Sequence, residues 1–293
     1  MGKPTNSIQD YSAEVLDLFD AYVHGGIDRR EFLRKAGLVT VGGVTAASLL
    51  AGLVPDYVQA MEIEPADPGI EAEHLVYPSP DKWQAYLVKP AGLDKPAPGV
   101  LVIHENRGRN PYIEDVTRRL AKDGFIAISP DALTSFGGWS SDDEGRAQQR
   151  TLDKEAMMNN WTAAFNYLKS HPDCSAKVGA VGFCYGGGVV NLLATRLPDL
   201  GAGVPFYGSQ PSLEDVPKIK AAMCIQNAEL DERIMAGAPA YEKALKDAGV
   251  EFETYVYAGA RHGFHNNSTP RYDDAAANLA WERTIAFFKR HLG

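Results

Sequence analysis

Cysteine is scarce in this chain of 293 residues, which contains only three: Cys174, Cys184 and Cys224. Three are too few for a disulfide framework, and the odd number leaves at least one thiol free. None of them lies in a C-x-x-C pair or a Cys/His cluster with structural-zinc spacing. A redox role for Cys184 would need a resolving partner, and neither of the other two is near it in sequence. We therefore expect no metal and no cofactor.

Positively charged residues are also few. The chain has 29 lysines and arginines and 38 acidic residues, which gives a net charge of -9. This balance argues against nucleic acid or an anionic membrane as the main partner. The apolar stretch 38–54 is interrupted by glycine, threonine and alanine, so no permanent membrane span is expected. With 45% hydrophobic residues, the chain is long enough to bury one large core.

The first 60 residues differ from the remainder. Arg29 and Arg30, the apolar stretch after them and the small residues before Met61 are typical of a twin-arginine export signal. We predict that residues 1–60 direct export to the periplasm and that residues 61–293 form the functional domain. An alternative stays open, because residues 11–28 are acidic and have helical periodicity. They would then form a retained cytoplasmic arm, docked on the body or on a partner subunit of a homo-oligomer.

Strands alternate with helices from about residue 63 onward. Two strands in residues 72–92 are predicted to be antiparallel, and the later ones to form βαβ units. This pattern predicts an α/β fold in which a mostly parallel central sheet is covered by helices on both faces. The longest stretch without an apolar pattern, residues 134–150, is expected to be an irregular lid or pocket rim.

The segment "VGAVGFCYGGGVV" places Cys184 between a predicted strand and a predicted helix. A serine there would complete G-x-S-x-G, the sharp turn that presents the nucleophile of α/β-hydrolases. Gly182 and Gly186 flank the bend, where we expect no room for a Cβ atom. Cys184 is thus predicted to be a thiol nucleophile. The alternative is a small buried hydrophobic residue, since free cysteine is often buried.

Four reactive residues follow predicted strands at their carboxyl ends, where sites in parallel sheets gather. They are Glu105, Cys184, Asp231 and His262. The order nucleophile, acid, histidine is that of α/β-hydrolases. We predict that His262 takes the thiol proton and that Asp231 fixes the tautomer of His262, while the helix after the cysteine stabilises the thiolate.

An oxyanion hole is predicted at the same edge of the sheet. The backbone N–H groups of Tyr185 and of Asn106 are the expected donors to the negative oxygen of an ester intermediate.

The motifs "HENRG", "GFCYGGG", "ELD" and "RHGFHN" together resemble the dienelactone hydrolase family of α/β-hydrolases, from about Ile63 to the C-terminus. The resemblance implies a Cys-His-Asp triad of Cys184, His262 and Asp231 that cleaves a small ester or lactone, carboxymethylenebutenolide being the family's type substrate. It also implies that Glu105 helps to deprotonate the cysteine when substrate enters. The alternative is that Glu105 is a loop carboxylate paired with Arg107 or Arg109.

One position departs from the family pattern. Asn266 stands where an arginine that holds the substrate carboxylate would be expected, so a preference for an acidic lactone does not follow from the resemblance.

Two further readings stay open. The chain could be a catalytically silent binding module on the same fold, because fold alone does not determine function. A metal site could involve His262, His265 and His104, although no carboxylate is spaced to complete it.

Overall fold

A computed structural model describes residues 10–39 and 45–293. Its centre is one eight-stranded sheet in the order β1-β2-β4-β3-β5-β6-β7-β8. The strands are β1 (Ile70–Val76), β2 (Gln84–Pro90), β3 (Ala97–Ile103), β4 (Ile126–Pro130), β5 (Cys174–Phe183), β6 (Ala202–Phe206), β7 (Ala222–Ala228) and β8 (Phe252–Tyr257). β2 pairs antiparallel with β1 and β4, and the other neighbours are parallel. The predicted fold class is confirmed.

Eleven α-helices occur in the described residues. They are α1 (Ala13–His24), α2 (Arg29–Val39), α3 (Ala46–Leu53), α4 (Tyr57–Ala60), α5 (Pro111–Lys122), α6 (Asp142–Gln149), α7 (Lys154–Lys169), α8 (Tyr185–Arg196), α9 (Glu232–Met235), α10 (Ala238–Asp247) and α11 (Asp274–Leu292).

The central strands of the sheet are buried on both faces. Along β3, Leu101 and Ile103 point into the core beneath α7, α8 and α10, whereas Val100 and Val102 point into the core beneath α5 and α11. A strand covered on both sides needs apolar residues at every position, because successive side chains point to opposite faces. This explains why β3 and the part of β5 from Val178 to Phe183 are continuous apolar runs.

Residues 10–39 and 45–60, called the arm from here on, fold into helices that pack beside the sheet domain. The predicted helix in residues 11–28 is confirmed by α1, which Ser12 caps at its start and Gly25 at its end. α1, α2 and α3 enclose a small apolar core of their own around Phe19 and Phe32. None of the described helices is long and apolar enough to cross a bilayer.

Polar contacts attach the arm to the sheet domain. Asp17 pairs with Arg261 at 2.6 Å, and the Tyr22 hydroxyl donates to Asp143 at 2.7 Å. The Val23 carbonyl accepts from the side chain of Asn106 at 2.9 Å. α1 therefore lies across the carboxyl edge of the sheet.

The expectation of an irregular segment at residues 134–150 was wrong in part. After a 3₁₀ turn at Thr134–Phe136, the chain forms α6. The Ser141 side chain accepts from the N–H of Glu144, and acidic residues fill the first turn. Such a cap and charge pattern stabilises a helix without any apolar periodicity.

Candidate active site

The turn between β5 and α8 holds Cys184 in a strained conformation. Its φ is +56° and its ψ is -113°, a combination that residues with a side chain rarely adopt. A Cβ on Gly182 would overlap the backbone of Gly186, and a Cβ on Gly186 would overlap the carbonyl oxygen of Ile103. The expected lack of space at both glycines is confirmed. The unusual backbone torsions are those of the cysteine itself, which lies in the turn between β5 and α8.

His262 and Asp231 meet beside this turn. Asp231 follows β7 and accepts from the N–H of Ile234, which fixes it at the start of α9. The Nδ1 atom of His262 lies 2.5 Å from Oδ2 of Asp231, and both side chains are buried. The Nε2 atom of His262 lies within 4.8 Å of Sγ of Cys184. The sequence-predicted trio is therefore brought together at one edge of the sheet.

The surroundings favour a thiolate at Cys184. Burial alone would raise the pKa of the thiol, but the imidazolium charges of His262 and His24 outweigh it and lower the pKa to about 5. Burial acts against the charged form of His262, yet the thiolate and the hydrogen bond to Asp231 raise the pKa of this imidazole. Both shifts favour a thiolate beside an imidazolium.

His24 is a site residue that sequence reasoning missed. It ends α1, and its Nε2 atom lies 3.5 Å from Sγ of Cys184 and 3.2 Å from Nε2 of His262. Its Nδ1 atom lies 2.8 Å from the carbonyl oxygen of Asp20. Burial lowers the pKa of His24, but the Cys184 thiolate and Asp20 raise it to about 10. The sequence feature that could have pointed to His24 is its spacing from Asp20, since residues four apart lie on one face of a helix.

Glu105 follows β3 and lies in a network of polar side chains. Its Oε2 atom accepts from Nε of Arg107 at 3.1 Å and from the Asn266 amide at 3.1 Å. Arg107 also pairs with Asp142 at 2.9 Å. Asn266, at the position where the family pattern has a base, thus holds the buried Glu105 carboxylate.

The two residues predicted to supply the oxyanion donors line the same cavity. Tyr185 opens α8, and the first N–H groups of a helix have no acceptor within it. Asn106 and Tyr185 line one cavity of about 360 Å³, which His24 also lines.

That cavity has apolar walls and two cationic side chains. Its remaining lining consists of Gln149, Arg150, Leu152, Lys154, Met157, Met158, Val189 and Leu192. Residues 134–150 were expected to form a lid or pocket rim. The last two of them, Gln149 and Arg150, line this cavity. A second cavity of about 710 Å³, which Asp231 and His262 line, lies between α1 and the loops after β7 and β8.

The three-histidine metal site considered from the sequence does not form. His265 hydrogen-bonds to the Tyr112 hydroxyl at 2.6 Å, and His104 accepts from the N–H of Ala132 at 3.1 Å. These two imidazoles therefore have their own partners, away from His262.

Comparisons with known proteins agree with this architecture. Residues 83–292 match the family model described as "Dienelactone hydrolase family", and residues 3–41 match a second model described as "YqhI-like". The "Putative hydrolase fragment YghX" of Escherichia coli is 50% identical over 114 residues, which cover 38% of this chain and 97% of that protein. A "Putative carboxymethylenebutenolidase" of Saccharolobus solfataricus is 31% identical, over 71% of this chain and 94% of the relative.

A solved structure supports the fold. The crystal structure of a "Putative Dienelactone Hydrolase" from Klebsiella pneumoniae has a TM-score of 0.69 and 24% identity, and the match covers 75% of this chain and 98% of the other. The family model spans well over half of the sequence, including the strained turn and the residues beside it. This chain belongs to the dienelactone hydrolase family of hydrolases.

Proposed function

We propose that the protein hydrolyses a small ester or lactone with Cys184 as nucleophile. The observation that carries the proposal is the strained turn at Cys184, with the hydrogen-bonded His262–Asp231 pair beside it. A nucleophile, a base within reach and a group that orients the base are the parts required for covalent acyl transfer.

The reaction divides into two steps. The Cys184 thiolate attacks the carbonyl carbon, a C–S bond forms, and the resulting oxyanion accepts hydrogen bonds from the N–H groups of Tyr185 and Asn106. As the oxyanion collapses, the C–O bond breaks and the proton on His262 passes to the leaving alkoxide. Water then loses a proton to His262 and attacks the thioester carbonyl carbon. The C–S bond breaks, which yields the acid and restores the thiolate beside the protonated His262. Asp231 keeps the imidazole oriented throughout.

The 360 Å³ cavity supports a small substrate with an apolar body. Its size falls at the lower end of small-molecule pockets, and methionine, leucine and valine side chains form most of its wall. Arg150 and Lys154 favour an anionic group on that substrate. A relative from Bradyrhizobium that is 30% identical is named "Probable 2-oxo-3-(5-oxofuran-2-ylidene)propanoate lactonase", which agrees with such an acidic lactone.

The test uses the full chain in the presence of a chelator and a reductant. Hydrolysis of a chromogenic acetate ester and of a dienelactone is measured for the wild type and for Cys184→Ala. We expect kcat/KM to fall by about 1,000-fold or more, because removal of a nucleophile abolishes the covalent route. Cys174→Ala removes a buried thiol elsewhere in the sheet and serves as the matched control, with activity near that of the wild type.

A trapped intermediate gives a second readout. With a slowly hydrolysed ester, mass spectrometry is expected to find one acyl group on the peptide that contains Cys184. If Cys184→Ala retains activity near the wild-type level, the proposed nucleophile is wrong.

A further inference from the structure

Three side chains from distant parts of the chain each bring one ligand atom to the same point. His24 Nε2 lies 3.2 Å from His262 Nε2 and 3.5 Å from Cys184 Sγ. All three atoms lie within 4.8 Å of one another. Imidazole nitrogen and thiolate sulfur are the ligands that Zn²⁺ and similar soft divalent cations prefer.

Both imidazoles are oriented as metal ligands are. The Nδ1 atom of His262 faces the Asp231 carboxylate at 2.5 Å, and that of His24 faces the Asp20 carbonyl oxygen at 2.8 Å. With a hydrogen on each Nδ1, an ion that displaces the Nε2 protons would find both Nε2 lone pairs directed toward the same point. Metal-bound histidines commonly donate their second N–H to such an acceptor, which fixes the ring. Two lone pairs 3.2 Å apart need a proton or another cation between them.

The separations fit tetrahedral coordination. With Zn–N bonds of about 2.0 Å and a Zn–S bond of about 2.3 Å, tetrahedral angles place two nitrogen ligands about 3.3 Å apart and a nitrogen and a sulfur ligand about 3.5 Å apart. The observed 3.2 Å and 3.5 Å agree with both figures. The third separation, between the His262 nitrogen and Sγ of Cys184, is within 4.8 Å, so two of the three pairs already have the spacing that a tetrahedral ion needs.

The local charge also favours a cation. Among the described groups that contact the two imidazoles, Asp20 and Asp231 are negative and Arg233 is positive. The Cys184 thiolate adds a further negative charge. The 710 Å³ cavity reaches His262, so a water molecule has room to serve as a fourth ligand.

We propose that His24, Cys184 and His262 form a binding site for Zn²⁺ or a similarly soft divalent cation, to which the arm contributes one ligand. Occupancy would fasten α1 over the turn and withdraw the thiolate from acyl transfer. The inhibitory part rests on the proposed hydrolytic function, whereas cation binding does not.

The test uses the full-length protein, reduced and stripped of metal. Zn²⁺ is added in the presence of a chromophoric chelator that competes for it, which measures the affinity and the number of ions bound. We expect one equivalent to bind. In a parallel titration, Co²⁺ is expected to give the charge-transfer absorption of a thiolate–cobalt bond, which identifies Cys184 as a ligand.

His24→Gln keeps a polar side chain of similar size but removes the imidazole ligand. We expect it to weaken Zn²⁺ binding by about 100-fold or more, since even changes outside the ligand set cost 10- to 100-fold. His24→Cys supplies a thiolate instead and is expected to restore binding with a stronger charge-transfer band. The matched control is His171→Ala, in the loop between α7 and β5, which should leave the Zn²⁺ affinity unchanged. Limited proteolysis of the arm verifies that each variant keeps α1 docked.

The outcomes separate the two proposals. If the wild type takes up no stoichiometric Zn²⁺, or if His24→Gln binds it as tightly as the wild type, the cation site is wrong. If Zn²⁺ binds as expected but the chelated protein hydrolyses no ester, the cation site stands and the proposed hydrolysis fails. If both hold, Zn²⁺ should inhibit the wild type at concentrations that leave the His24→Gln rate unaffected.

Discussion

The Nε2 atoms of His24 and His262 lie 3.2 Å apart although 238 residues separate them in sequence. The two rings meet nearly edge to face, with 4.6 Å between centroids. A side chain of the arm thus contacts the histidine expected to act as base in a hydrolase. Side chains of both the arm and the sheet domain therefore lie in contact at this edge of the sheet.

Glu105→Gln tests the role of the buried carboxylate. It keeps the shape but removes the charge that pairs with Arg107, leaving this arginine with Asp142 alone. We expect the free energy of unfolding to fall by about 1–3 kcal/mol, because a buried charge loses one of its partners. Urea denaturation measures this loss. Turnover should fall less than in Cys184→Ala, and alkylation of Cys184 near neutral pH should slow.

The matched control for this change is Glu114→Gln, whose partner Arg109 lies at 3.3 Å in a more exposed setting. It should alter stability by less than about 1 kcal/mol, as pairs in contact with water contribute little. Unchanged alkylation and turnover in Glu105→Gln would assign Glu105 a purely structural role.

The stability of the fold is expected to fall in mild acid. Burial lowers the pKa of His265 well below its usual value, and burial also lowers the pKa of His104. The unfolded chain therefore binds protons near pH 6.5 that the folded chain does not, so the free energy of unfolding decreases as the pH falls below that value. Each such group contributes a slope of up to about 1.4 kcal/mol per pH unit.

Urea denaturation between pH 7.5 and pH 5 measures this slope. In His265→Gln the slope should become shallower by up to one proton. An identical pH dependence in His265→Gln and the wild type would show that this imidazole is not the source of the effect.

Gly186→Ala tests the close packing of the strained turn. The added Cβ would overlap the carbonyl oxygens of Ile103 and His104, which belong to the backbone and have little freedom to move. We expect a loss of about 1–3 kcal/mol in the free energy of unfolding together with a large loss of activity. Gly188→Ala is the matched control. Its Cβ would lie 3.5 Å or more from Ser209, so the helix-favouring residue should be neutral or stabilising by up to about 1 kcal/mol.

Arg29 and Arg30 provide a test of export. Both are exposed on α2, and replacement of both by lysine should leave full-length precursor in the cytoplasm if the twin-arginine machinery recognises them. N-terminal sequencing of exported protein should then begin near Met61. A mature protein that keeps residues 11–27 protected from protease would favour the retained arm instead.

The sheet and the turn were predictable because their constraints are local in sequence. Apolar runs in β3 and β5, the glycines beside Cys184 and the strand-end positions of Asp231 and His262 each follow from a short motif and from the rule that parallel strands end at one edge. The order of these residues along the chain then indicated the trio that the structure brings together.

The contacts of His24 and Glu105 were not predictable in the same way. His24 reaches Cys184 only through packing across 160 residues, and no periodicity within α1 encodes that distance. Glu105 has arginines two and four residues further along the chain, and only the structure shows that Arg107 pairs with it while Asn266 completes the network. α6 was missed because its stabilisation comes from its cap and charges rather than from apolar spacing.

The position of the arm at the start of the chain sets the order of events during synthesis. Its own apolar core around Phe19 and Phe32 is available to form as soon as α3 has been translated. Of the two side chains that His24 Nε2 contacts, Cys184 is synthesised first, and His262 follows only after β8. Since amino-terminal segments fold first on the ribosome and closing a long loop is slow, the contacts of α1 with Arg261 and His262 should form late in maturation. A nascent chain stalled before residue 262 would then hold Cys184 with its sulfur uncovered, which timed alkylation of ribosome-bound chains can detect.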